Sequence, residues 1–134
     1  MRLASGTLRR RRLLLVDPDA VYRAGLEEPL DTGLWTVQGH PDAASALAWL
    51  EENPMCFIDA VWCEASMADS TGVDFVERVR GRLHPAVPAL IVSAAEPPSA
   101  IAAGSIRAFS KKETASAVRW LFALGDENAF ESNG

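Results

Sequence analysis

The chain has 134 residues, 49% hydrophobic and 23% charged, the make-up of a single soluble globular domain. A chain of this length buries roughly two-thirds of its unfolded surface without staples, and no apolar run approaches the ~20 residues of a membrane span. The net charge of −5 is uneven: residues 1–12 hold five arginines and no acid, which leaves 8 basic against 18 acidic residues, or −10, in the remainder. An acidic body argues against direct nucleic-acid binding, and the lack of a long apolar run argues against a membrane as partner.

Residues 1–12 read as a basic, solvated and disordered arm, residues 13–124 as the domain, and residues 125–134 as a flexible acidic tail. Leu13-Leu14-Leu15-Val16 is an apolar run of strand length that ends in Asp17-Pro18-Asp19. Asp19 is placed to cap a helix over about 20–28, with Val21 and Leu26 on its apolar face and Pro29 closing it. Residues 34–38 alternate around Trp35 and Val37, as a strand near a sheet edge does. Asp42 caps a helix to about residue 52, on which Ala43, Ala46, Leu47 and Leu50 share a face; Asn53-Pro54 stops it.

Residues 58–63 form a short apolar run rich in strand formers, predicted to be a strand buried on both faces. It ends in Glu64 and a small, polar loop to Gly72. A helix over 73–83 turns Val73, Val76, Val79 and Leu83 inward and Arg78, Arg80 and Arg82 outward. A strand over 89–92 stops at Ser93, and Pro97-Pro98 opens a short helix over 99–103. The last strand, 106–109, meets Ser110-Lys111-Lys112. Thr114 then caps a helix to about residue 124 with Val118, Leu121 and Phe122 inward. Trp120 lies on another face of that helix, open to an interface or to partial burial at the domain edge. Cys56 and Cys63 read as small core residues in a reducing compartment, which places the protein in the cytoplasm.

Five strands alternating with five helices predict an α/β fold: a doubly wound, five-stranded parallel sheet with helices on both faces. The flavodoxin-like strand order 2-1-3-4-5 puts the switch point between the first and third strands, where Asp17 and Glu64 would meet. Four strand ends then carry Asp17, Glu64, Ser93 and the Lys111/Lys112 pair, with Asp19 beside the first. Two acids, a hydroxyl and a lysine around one crevice suit a phosphoryl-acceptor switch: carboxylates hold Mg²⁺, one attacks the donor, and hydroxyl and ammonium bind the new oxygens.

Five stretches in order carry a family resemblance over residues 12–124. They are Leu14-Leu15-Val16-Asp17-Pro18-Asp19, Asp59 to Glu64, the loop from Glu64 through Met67 to Gly72, Ala89 to Ala94, and Ala103-Gly104-Ser105 through Lys111. Together they resemble the receiver domain of two-component response regulators. The resemblance implies Glu64 at the phosphoacceptor position, Asp17 and Asp19 as the acidic pocket, Ser93 as the switch hydroxyl, and Lys111 or Lys112 as the family lysine. Counting from Gly104 favours Lys111; placing Phe109 at the family's aromatic switch position favours Lys112. It also implies Asp17 and Glu64 as the metal-binding positions.

The departures define the expected function. The acceptor is Glu64 rather than Asp, Pro18 stands where the second acid belongs, Ala68 replaces a usual Pro, and the stretch from Ser93 to the lysine is about one helical turn short. Losing one acid and lengthening another weakens Mg²⁺ and displaces the nucleophile by a methylene, an error that costs on the order of a hundredfold in rate. A longer Glu64 instead reaches the lysine as a permanent, singly charged stand-in for a phosphate of about −2. The chain therefore reads as an atypical receiver domain, a non-enzymatic module of signalling or transcription control. It would bind a protein partner or a second copy without phosphorylation, with no cofactor beyond weak Mg²⁺. Two alternatives stay open: a conventional Mg²⁺-dependent phosphoacceptor in a phosphorelay, and a pseudo-receiver that senses a small molecule.

Overall fold

In a computed structural model of the protein, residues 10–31, 35–82, 86–94 and 106–133 are described, the side chains as far as residue 124. The strands are β1 (Arg11–Val16), β2 (Trp35–His40), β3 (Ala60–Glu64), β4 (Ala89–Ser93) and β5 (Ile106–Ser110). The helices are α1 (Ala20–Leu30), α2 (Ala43–Glu52), α3 (Gly72–Arg82) and α4 (Thr114–Asn133), the last preceded by a 3-10 turn at Lys111–Glu113. All neighbouring strands pair in parallel in the order β2-β1-β3-β4-β5. The expected short helix over 99–103 lies outside the described residues.

Alternation along the strands divides the core. Leu14 and Val16 of β1 face α2 and α3, joining Ala46, Leu50, Phe75, Val76 and Val79. Leu13 and Leu15 face the other way, towards Leu26 and Leu30 of α1 and Ala117 and Leu121 of α4. With both faces covered, β3 and β4 carry almost no polar side chain until their carboxyl ends. Glu64 and Ser93 sit at those ends, on the edge where βα loops gather.

Several boundaries differ from the sequence expectation. The domain starts earlier than residue 13, because Arg11 and Arg12 belong to β1 and pair with Trp35 and Thr36. From Arg10 to Arg12 the run is tied to the sheet. Arg10 pairs with Asp31 and donates to the Trp35 carbonyl (2.8 Å). The Arg12 N–H donates to Asp59 Oδ2 (2.8 Å), and the Asp59 N–H returns to the Arg12 carbonyl (2.9 Å). β2 runs on to His40, and β3 begins at Ala60, with Ile58 buried just before it.

Helix faces differ in similar ways. Pro29 lies within the last turn of α1 instead of closing it; the Asp31 N–H still reaches the Glu27 carbonyl (2.9 Å), so the turn completes around the missing donor. Tyr22, Leu26 and Leu30, four residues apart, form the inward stripe of α1, which leaves Val21 82% exposed. On α3 the buried set gains Phe75 beside Val76 and Val79. On α4 the inward stripe is Ala117, Val118 and Leu121, and Phe122 lies beside it, 38% exposed rather than buried. α4 continues through Asn133 where a flexible tail was expected, since Ala, Leu, Glu and Phe sustain a helix across Gly125.

Candidate functional site

The crevice is built where β1 and β3 end side by side, Val16 being paired with Cys63. Asp17 follows β1 and is 1% exposed; Glu64 closes β3 and is 7% exposed. The backbone of Asp17 is fixed on both sides. Its N–H donates to the His40 carbonyl (3.1 Å), and its own carbonyl accepts from the Arg23 guanidinium (2.6 Å). Its Oδ1 accepts from the Asp19 N–H (2.8 Å).

Lys111, directly after β5, reaches across the sheet edge and joins the two acids. Its Nζ lies 3.0 Å from Asp17 Oδ2 and 3.1 Å from Glu64 Oε1. The contact with Asp17 is an ion pair whose angle leaves Oδ2 without an aligned hydrogen bond. Burial works against the Lys111 charge, and the two carboxylates outweigh it, so the ammonium loses its proton less readily than a free lysine. Glu64 Oε2 turns to the Ser66 N–H at 3.4 Å. The Tyr22 ring covers the ammonium, with Nζ 4.3 Å from the ring centre.

The loop after Glu64 is tightly specified. Ser66 and Thr71 form an isolated bridge, the Met67 N–H reaches the Ser70 carbonyl (2.9 Å), and the Gly72 N–H reaches the Ala65 carbonyl (2.9 Å). A Cβ on Gly72 would lie 2.8 Å from the Glu64 carbonyl oxygen and 3.2 Å from both Cys63 Sγ and Ile91 Cγ2. The nearest of these is backbone at the site itself, so glycine is required there for close approach. Outside the crevice, the Asp69 carboxylate accepts from the Ala43 and Ala44 N–H groups (3.3 and 2.9 Å) at the start of α2.

The expected site residues divide. Asp17, Glu64 and Lys111 come together. Asp19 does not join the acidic pocket: its Oδ1 caps α1 by accepting from the Val21 and Tyr22 N–H groups (3.0 and 3.2 Å). Lys112 is exposed, its N–H bonded to Ser110 Oγ (3.0 Å). With Lys111 at the crevice, the register that tied Phe109 to the aromatic switch position no longer follows. Phe109 packs instead in the core with Val92, Ala117 and Leu121. Ser93 ends β4 opposite Ser110 and is partly buried. Cys63 is fully buried, and burial first, then the Glu64 and Asp17 charges, push its thiol far up, away from nucleophilic chemistry.

Sequence reasoning missed Tyr22 and Asp69. Tyr22 is the chain's one tyrosine and stands one turn from Asp19, but an aromatic at helical spacing carries no functional mark. Asp69 caps a helix more than twenty residues before it, which no local pattern reveals. The residues also fit Mg²⁺ poorly. Pro18 offers no carboxylate, Asp19 is engaged elsewhere, and an ammonium already stands between the two acids that remain. Among the described residues no three His, Cys, Asp or Glu side chains gather as a metal site.

No family model matches the chain. The chain is similar to the signal receiver domain of an HD domain-containing protein from Pseudomonas fluorescens Pf-5, at 26% identity and a TM-score of 0.69 over 88% of this chain and 99% of that one. It is also 31% identical over 93 residues to the two-component response regulator ORR27 of Oryza sativa subsp. japonica. The chain is a response-regulator receiver domain. The match with the rice protein covers 69% of this receiver but spans only 14% of the relative's length. A chain in the complex of histidine kinase ThkA with response regulator TrrA shares the receiver fold, with a TM-score of 0.69 at 15% identity over 85% of this chain and 97% of that one. No described helix of this receiver is long and apolar enough to cross a membrane.

Proposed function

We propose that this receiver domain is held in one state by Glu64 and works as a cytoplasmic protein-interaction module, without phosphoryl transfer. The observation that carries the reading is the Lys111 ammonium, 3.0 Å from Asp17 and 3.1 Å from Glu64. In a phosphorylatable site that lysine receives the phosphoryl oxygens; here a carboxylate of the chain already meets it. The charge is a poorer copy of phosphate, about −1 against −2, but it is permanent. Mg²⁺ would bind weakly, and the module is regulatory rather than enzymatic. The receiver fold shared with a kinase–regulator complex supports a protein partner. Half-buried Trp120, with Arg107 5.8 Å over its ring, supports a second copy docking beside β5 and α4. The acidic body supports neither nucleic acid nor membrane as partner. A role in transcription control would then be exercised through the partner.

Glu64→Gln tests this directly. The variant keeps shape and volume but leaves the lysine facing an amide, and should lose about 1–3 kcal/mol in urea unfolding at neutral pH. A more stable Gln variant would mean that repulsion between Glu64 and Asp17 dominates, and would overturn the closed-site reading. Beryllofluoride with Mg²⁺ should leave tryptophan fluorescence and sedimentation of the unmodified protein unchanged. A stoichiometric acyl phosphate at Glu64 would establish the conventional phosphoacceptor instead.

A further inference from the structure

We propose that Tyr22 is the residue that positions Lys111 on the two carboxylates, through its ring over the ammonium and its hydroxyl on the turn that carries the lysine. The inference rests on the reading of a permanently closed site and names a further residue that holds it closed. Thr114 Oγ1 donates its single proton to the Lys111 carbonyl (2.7 Å). The 2.8 Å contact between Tyr22 and Thr114 must therefore be donated by the phenol. Helix α1 thus grips the end of β5 twice, at the Lys111 side chain and, through Thr114, at its backbone.

The ring also explains how an ammonium persists beside two buried acids without drifting to water. Lysine is a flexible point charge with several rotors. Its side chain here is only 20% exposed, and its ammonium meets the Tyr22 ring at 4.3 Å as well as the two carboxylates. The Tyr22 position is itself determined. Asp19 caps the first turn of α1 by holding the Tyr22 N–H (3.2 Å), and Leu26 and Leu30 on the same stripe are buried against the sheet. Tyr22 packs against the same buried cluster as Trp62. Burial raises the phenol above its ordinary value, and Lys111 counts among the groups that lower it.

Composition makes the test selective, because the chain has two lysines, adjacent in sequence, and one tyrosine. The full chain is acylated with a water-soluble N-hydroxysuccinimide ester under native conditions, and the rates at Lys111 and exposed Lys112 are compared by peptide mass spectrometry. Lys111 should react more slowly in the unmodified protein. Tyr22→Leu should raise its rate relative to Lys112 about fivefold, the factor of an ordinary cation–π contact. Tyr22→Phe, which keeps the ring and loses the hydroxyl, should fall between the two. A merely structural tyrosine would lower the unfolding midpoint without moving this ratio.

Glu64→Gln separates the two readings. If it frees Lys111 while Tyr22→Leu does not, the positioning role is overturned and the closed site stands. If neither variant frees Lys111, both are overturned. Should Tyr22→Leu fail to fold, the absorbance titration of the phenol in Lys111→Met decides. Its midpoint should rise, because a neighbouring positive charge has been removed; an unchanged midpoint overturns the contact.

Discussion

Two pairs of carboxylates stand at the same edge of this sheet and are neutralised by different means. Asp17 and Glu64 are buried and share one ammonium. Asp42 and Asp69 sit at the rim and are neutralised by backbone. Asp69 takes the Ala43 and Ala44 N–H groups, Asp42 Oδ1 takes the Ser45 N–H (2.7 Å), and the Ala46 N–H returns to the Asp42 carbonyl (3.3 Å). Three donors at the start of α2 that have no partner within the helix are thereby satisfied by carboxylates. The first pair depends on a single side-chain charge brought from beyond the last strand. The second depends on a helix terminus that exists as soon as α2 forms. Acidity at a sheet edge therefore says little about chemistry until the neutralising partner is known.

Removing Lys111 should expose the contrast most strongly. Lys111→Met leaves two buried acids facing each other and should cost about 3 kcal/mol, the lower end for breaking a buried pair, since the lysine itself is one-fifth exposed. Urea unfolding measures it. The double variant Lys111→Met/Glu64→Gln should recover part of that loss, because the like-charge conflict is gone. A Lys111→Met protein as stable as the parent would mean that the two carboxylates share a proton or face water.

The helix-bound pair should respond more mildly. Asp69→Ala strands two N–H groups that water can reach, and should cost about 1 kcal/mol, the ordinary loss of an N-terminal cap. Hydrogen exchange at Ala43 and Ala44 should quicken while Lys111 keeps its resistance to acylation. Coupled loss at both places would show that the loop from Glu64 to Gly72 moves as one body with α2.

pH separates the pairs without mutation. The Lys111 ammonium is held more firmly in the fold than in the unfolded chain, so its contribution is complete at neutral pH. It disappears as pH rises through the folded value, above the free-lysine value of 10.5. Asp42 behaves in the opposite sense. Its hydrogen bond to Ser45 lowers its pKa from 3.8, so its contribution is present above that value and is lost as pH falls through the folded one. Asp42→Asn, an equally good cap without a charge, should leave neutral stability unchanged and flatten the acid limb of the stability profile. An unchanged acid limb would assign it to other groups.

The strands were legible because two buried faces impose apolar runs of the right length, and the parallel order followed from their alternation with helices. Asp17 and Glu64 were legible because a carboxylate at the end of such a run has no packing reason to be there. The choice between Lys111 and Lys112 was not. Adjacent residues on a 3-10 turn point different ways, and only the end of β5 at Ser110 fixes which one meets the crevice. Asp19 was legible as the cap of α1 from its place before the helix; only the pocket role that the resemblance added does not hold, because its Oδ1 is taken by the Val21 and Tyr22 N–H groups. The arginine run misled because charge density concealed that Arg11 and Arg12 alternate within a strand whose backbone Asp59 holds.

The site also carries an order of events. Asp17 lies at the end of the first strand and Lys111 just past the last, so the acid waits for its counter-charge until nearly the whole chain is in place. Before β5 docks, Asp17 and Glu64 are two anions at the mouth of a half-built sheet, and contacts so distant in sequence form slowly. Docking of the last strand therefore does more than complete the sheet: it discharges the centre. A truncated chain without that strand would lack the Lys111 ammonium that Asp17 and Glu64 share in the complete fold.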